Sequence, residues 1–220
     1  MGMLEILVKN RRFIVTGLLV IFSLVFSEIF HKSDNFSPVL QGFIVASVFF
    51  LVIPVLYSKM VLKESLKRIG WQTGNMQAGV FFGIASVVLA IAIIILLVFI
   101  FPDFRAQYVF PAVVERSFAW FALYELTLTV FVVLLYEVFF RGFVQLFWLR
   151  EFGMWAIAVQ TALFLGLIFM GQSVSWQVVP LIIFCPLSGF IAYRSQSIWY
   201  SLAAGWLFFL LTDVFFLAFR

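Results

Sequence analysis

Five ionisable side chains stand inside long apolar runs of this 220-residue chain: Glu28, Glu125, Glu137, Arg141 and Asp213. At the centre of a membrane helix a charge costs ~2.5–3.5 kcal/mol or more, so each of these needs a partner or a function. Glu137 and Arg141 are four residues apart with the acid first, which puts them on one helix face, one turn apart, as an ion pair. Such a pair serves as a structural staple until chemistry is found for it. Glu28, three residues before Lys32, reads as a boundary residue whose carboxylate reaches the interface. Glu125 and Asp213 each fall in the outer third of an apolar run. They are expected as separate structural acids hydrogen-bonded by Gln145, Gln160, Thr127 or Thr129, with a shared carboxylate pocket as the alternative.

The scarce residues limit the chemistry further. The chain has 1 His, His31, and 1 Cys, Cys185. A disulfide framework, a Cys-cluster zinc site and a His-x-x-x-His pair are thereby excluded, and no metal or other cofactor is expected. Peptide hydrolysis by a metal fails for want of imidazole or thiolate ligands. The net charge of +4 is small and interleaved with apolar runs, so nucleic acid is not an expected partner.

The elements that must hold these residues follow from composition. Hydrophobic residues make up 65% of the chain and charged residues 11%, with 31 phenylalanines, far from the ~45–50% and ~25% of a soluble domain. With ~20 apolar residues needed per crossing, about seven spans are expected, near 13–30, 39–57, 77–101, 117–136 with a helical continuation to about 149, 154–171, 176–193 and 197–219. The fold class is therefore all-α, a polytopic membrane bundle in a single domain, 1–220. The first run is read as a retained span rather than a cleaved signal, since it lacks a small-x-small cleavage site. Placing the N-terminus in the cytoplasm puts Lys9, Arg11, Arg12, Lys59, Lys63, Lys67, Arg68, Arg150 and Arg194 inside and Lys32, Arg105, Arg116 and Arg220 outside, as the positive-inside rule requires.

Smaller features carry structural expectations. Val61, Leu62, Leu66 and Ile69 against Lys59, Lys63 and Lys67 predict an amphipathic helix over Met60–Trp71 on the membrane surface. Gly79 and Gly83 form a small-xxx-small pair for close helix approach. Pro180 and Pro186 are expected inside the sixth span, each bending it. Cys185 reads as a small buried apolar residue.

The string Tyr136-Glu137-Val138-Phe139-Phe140-Arg141-Gly142-Phe143 contains an E-x-x-F-R-G-F run. It follows the basic segment Lys67-Arg68-Ile69-Gly70 and precedes Gly189-Phe190-Ile191-Ala192-Tyr193-Arg194-Ser195-Gln196-Ser197-Ile198-Trp199. In these pieces and their order the chain resembles the CPBP family: CAAX prenyl proteases and bacteriocin-processing proteins, glutamate-type intramembrane peptidases. The resemblance covers about residues 50–215, which it implies to be a CAAX-protease-like core. It also implies the cell membrane of a bacterium or archaeon as the location.

Residue by residue, the resemblance implies a degenerate site. The family has two adjacent glutamates and an arginine four residues after the second. Glu137 and Arg141 match the second glutamate and the arginine, while Tyr136 occupies the position of the first, the water-activating base. Phe169 stands where the family has a histidine on the next helix, and Gly205 and Phe209 stand at its later histidine and asparagine. His31, Asn10, Asn35 and Asn75 all precede the motif and cannot replace them. Loss of a general base and of oxyanion donors removes several orders of magnitude of rate. The expected function is that of a non-catalytic membrane protein acting as a complex subunit or as a holder of a helical or lipidated client. The alternatives are an active endopeptidase using Glu137 in a shifted site and, less favoured because spans three, five and six are almost wholly apolar, a transporter. The lipid bilayer is the expected environment, with other membrane proteins or a lipidated or helical peptide as partners.

Overall fold

The computed structural model describes residues 3–30, 38–171 and 175–219, and their regular elements are all helical. His31 and Lys32 fall outside the described residues. The principal helices are α1 (Met3–Ile29), α2 (38–61), α3 (Met76–Ile100), α4 (Phe118–Leu149), α5 (Trp155–Gly171), α6 (Val179–Ser195) and α7 (Ile198–Ala218). All but α5 belong to helical runs long and apolar enough to cross a membrane. The chain is an all-α integral membrane protein, as its composition requires. The fifth expected span is α5, apolar over Trp155–Met170 but short. Its 17 residues rise ~25 Å, against ~30 Å of hydrocarbon.

Two compact units are formed, Met1–Leu66 and Lys67–Arg220. In the first, the Thr16 hydroxyl of α1 donates to the Arg12 carbonyl and lies 3.1 Å from the Tyr57 hydroxyl of α2. Phe22, Phe26, Phe30 and Phe49 stack beside them.

The second unit is built on α3, α6 and α7, whose buried Ala90, Ile94, Phe184, Ile191, Ala204 and Phe208 share one core. Close approach depends on small residues. A Cβ on Gly79 of α3 would enter the ring of Tyr200 of α7, and one on Gly83 would meet Ala204 at 3.6 Å. Asn75 caps α3 by accepting from the Ala78 N–H at 3.0 Å, and Ser197 caps α7 by accepting from the Trp199 N–H at 3.2 Å; both satisfy orphan donors of a first turn. Helices α4 and α7 run antiparallel in register: Glu137 meets Ser201 and Val133 meets Gly205.

Two expectations need correction. No amphipathic helix forms over 60–71: α2 continues to Val61, Lys63 adopts a left-handed φ of 55°, and only a short 3₁₀ turn, Leu66–Ile69, follows. A left-handed non-glycine residue ends helical propagation, and the apolar Ile69 is buried within the second unit rather than spread on a membrane surface. Pro180 does lie in the sixth span but is not placed to bend it. It sits in the first turn of α6, where a missing N–H costs nothing, and Pro186 is the proline in the body of that helix.

Candidate functional site

The three stretches that carry the resemblance converge at one end of the second unit. The Ile198 N–H donates to the Gly70 carbonyl at 3.1 Å and the Asn75 N–H to the Ser195 carbonyl at 2.8 Å, while the Gln72 amide donates to the Gln196 carbonyl at 3.0 Å. Gly142 of α4 backs onto the same loop, where a Cβ would lie 2.7 Å from the Ile69 carbonyl oxygen. The glycine of the R-G-F run is thus fixed by backbone proximity.

From that anchor, α4 is wound as a π-helix over Glu137–Leu146, and every residue of this stretch is buried. Wide turns of this kind are uncommon and concentrate at functional sites. Glu137, Arg141 and Gln145 project from it toward α6 and α7. The Arg141 Nε is 3.4 Å from the Glu137 carboxylate and also donates to the Ser188 hydroxyl; its second guanidinium nitrogen donates to the Cys185 carbonyl at 3.2 Å. The Ser201 hydroxyl donates to the other Glu137 oxygen. Gln145 donates to the Gly189 carbonyl at 2.7 Å and Gln160 of α5 to the Cys185 carbonyl at 3.4 Å. The buried pair is therefore one part of a network that ties α4 to three neighbouring helices, which is the condition under which buried charges are tolerated. Ser188 and Ser201 could not be picked out from sequence, because a lone serine in an apolar helix carries no spacing signal.

Beside the pair lies a cavity of about 20 Å³, lined by Tyr136, Glu137, Arg141, Phe164, Gly205 and Phe209 among others. Such a volume holds about one water molecule. Five of the six residues singled out by sequence border it. The structure places Phe169 elsewhere, 62% exposed on the outer face of α5, and Phe164 faces the site instead. Five residues separate the two, about 140° around an α-helix. Tyr136 packs edge-on against Phe164, with ring centroids 5.4 Å apart.

Glu125 and Asp213 are brought together rather than kept apart. Their carboxyls face each other across α4 and α7, and the Tyr108 hydroxyl donates to Asp213 at 2.6 Å. Of the partners expected for them, Thr129 adjoins Glu125, while Gln145 and Gln160 serve α6 carbonyls and Thr127 donates to the Leu123 carbonyl at 2.6 Å. Among the described residues no three His, Cys, Asp or Glu side chains gather around a common metal position.

A helical membrane core with a buried glutamate–arginine pair at a π-helical turn is what the comparisons meet. Residues 116–211 match the family model described as type II CAAX prenyl endopeptidase Rce1-like, so this stretch is similar to the CAAX-protease branch of the CPBP family. The match lies wholly in the second unit and includes the ion pair, α5, α6 and most of α7. Neither a curated protein nor a solved structure matches the chain.

Proposed function

We propose that this protein is a CAAX-protease-like membrane protein that keeps the family's glutamate–arginine pair as a structural element and has given up peptide hydrolysis for binding. It would act as a subunit of a membrane complex or as a holder of a helical or lipidated peptide. The carrying observation is the space beside Glu137: about 20 Å³, bordered by Tyr136, Phe164 and Phe209. A peptide carbonyl with its attacking water needs more room than one water, and three aromatic side chains supply no imidazole or amide for the oxyanion. Glu137 is also engaged by Arg141 and Ser201, which leaves it poorly placed as a general base.

The reading includes a cytoplasmic N-terminus and one membrane domain over 1–220 with its CPBP-like core near 50–215. Glu137, Arg141 and the substituted positions Tyr136, Phe169, Gly205 and Phe209 are carried in it as the remnant of a peptidase site. A second reading, an active endopeptidase using Glu137, is favoured by the family matched and by the room for one water beside that carboxylate. Purified protein incubated with prenylated peptides and with transmembrane peptides separates the two. No cleavage above a no-protein control is expected. Turnover that disappears in Glu137→Gln would overturn the non-catalytic reading.

A further inference from the structure

The register that sets Glu137 against Ser201 also brings together a second polar layer twelve residues away along both helices, ~18 Å at 1.5 Å per residue. There Glu125 of α4 faces Asp213 of α7, and both are buried, Glu125 at 1% exposure. Apart from the facing Asp213 carboxyl and the Thr129 hydroxyl, neither carboxyl oxygen of Glu125 has a hydrogen-bond partner among the described residues. Among the described residues no basic side chain acts on either acid. Asp213 accepts from Tyr108, which belongs to the connection between α3 and α4 and lies outside the spans. The Thr129 hydroxyl adjoins Glu125, and the Trp206 indole N–H donates to the Glu125 backbone carbonyl at 3.1 Å rather than to its carboxyl.

Two facing carboxyls with no basic partner at low dielectric either hold a proton between them or bind a cation. The oxygens assembled here are two carboxylates with the Tyr108 and Thr129 hydroxyls beside them. That set contains no nitrogen or sulfur, matches a hard cation, and carries the two negative charges that a divalent ion neutralises. We propose that Glu125 and Asp213 form a binding site for a divalent hard cation, calcium or magnesium, which clamps α4 to α7 at the ends nearest the Tyr108 connection. With two carboxylates rather than three or more, the site belongs to the weak, submillimolar-to-millimolar class. The remaining coordination positions are left to water.

The test uses full-length protein in detergent at pH 8 after treatment with chelator. Calcium chloride or magnesium chloride, each at a few millimolar, is compared with sodium chloride at matched ionic strength. At least one of the divalent ions is expected to raise Tm by a few degrees, since a ligand bound only by the folded state stabilises it. Glu125→Gln and Asp213→Asn should each lose this rise, whereas Asp103→Asn, an exposed acid on the same connection, should keep it. Two charge-removing variants guard against one of them failing to fold. No divalent-specific rise in the wild type, or an equal rise in Glu125→Gln, overturns the site. So does stabilisation by acidification alone with no effect of either ion, which would mean that the carboxyls share a proton.

Discussion

Arg141 is the side chain on which the interior of the second unit turns. Its guanidinium serves Glu137, Ser188 and the Cys185 carbonyl at once. Arg141→Ala should therefore destabilise the protein by about 3–5 kcal/mol by stranding a buried carboxylate, read as a lower Tm in detergent; an unchanged Tm would mean that the pair is hydrated. Tyr108 makes a separate prediction. Burial, then the nearby Asp213 carboxyl, pushes its phenol well above the ordinary 10.0. A folded value above the unfolded one means that the stabilisation is intact below pH 10 and is lost as pH rises beyond it, by up to ~1.4 kcal/mol per pH unit. Tyr108→Phe should flatten that alkaline loss, and identical slopes in the two proteins would place the phenol in water. The Glu137–Arg141 pair was legible as i,i+4 spacing. Its serine partners, and the choice of Phe164 over Phe169, were not, because they depend on the rotation of α5 and α7 about their own axes.

Helix boundaries came through well wherever an apolar run was closed by a capping residue or a breaker. Asn75 and Ser197 open α3 and α7, and Gly153, with φ of 54°, closes the continuation of α4. The failures share one cause. The 60–71 segment has a helical hydrophobic period, but Gly70 is drawn against Leu146 and Ile198, and that tertiary docking outweighs a weak local propensity. Helix contacts give a direct test through Gly142. A methyl group there meets a backbone carbonyl at 2.7 Å, which cannot rotate aside as a side chain can. Gly142→Ala should cost about 1–3 kcal/mol by overpacking, measurable as a lowered Tm with the helical circular dichroism retained. Gly166, with nothing within 4 Å of its Cβ position, should tolerate alanine with little change.

For the molecule as a whole, topology is the most accessible property to measure. With the N-terminus inside, Arg105→Cys lies outside and Lys67→Cys inside. The native Cys185 is buried and offers no competing thiol. A membrane-impermeant maleimide applied to intact cells should label Arg105→Cys, and should label Lys67→Cys only after permeabilisation; the reverse pattern would invert the protein. Composition alone made this an integral membrane protein, since so many apolar residues leave water no stable way to surround the fold. Sequence spacing placed its spans, and the lack of any histidine after His31 argued against hydrolysis. Three-dimensional packing decided the rest. It made one network of Glu137, Arg141, Ser188 and Ser201, closed the space beside them to about one water, and set Glu125 against Asp213. These outcomes depend on how distant helices face one another, and the pairing of residues 47, 64 or 88 positions apart leaves no periodic trace in a chain whose every helix is apolar on most sides.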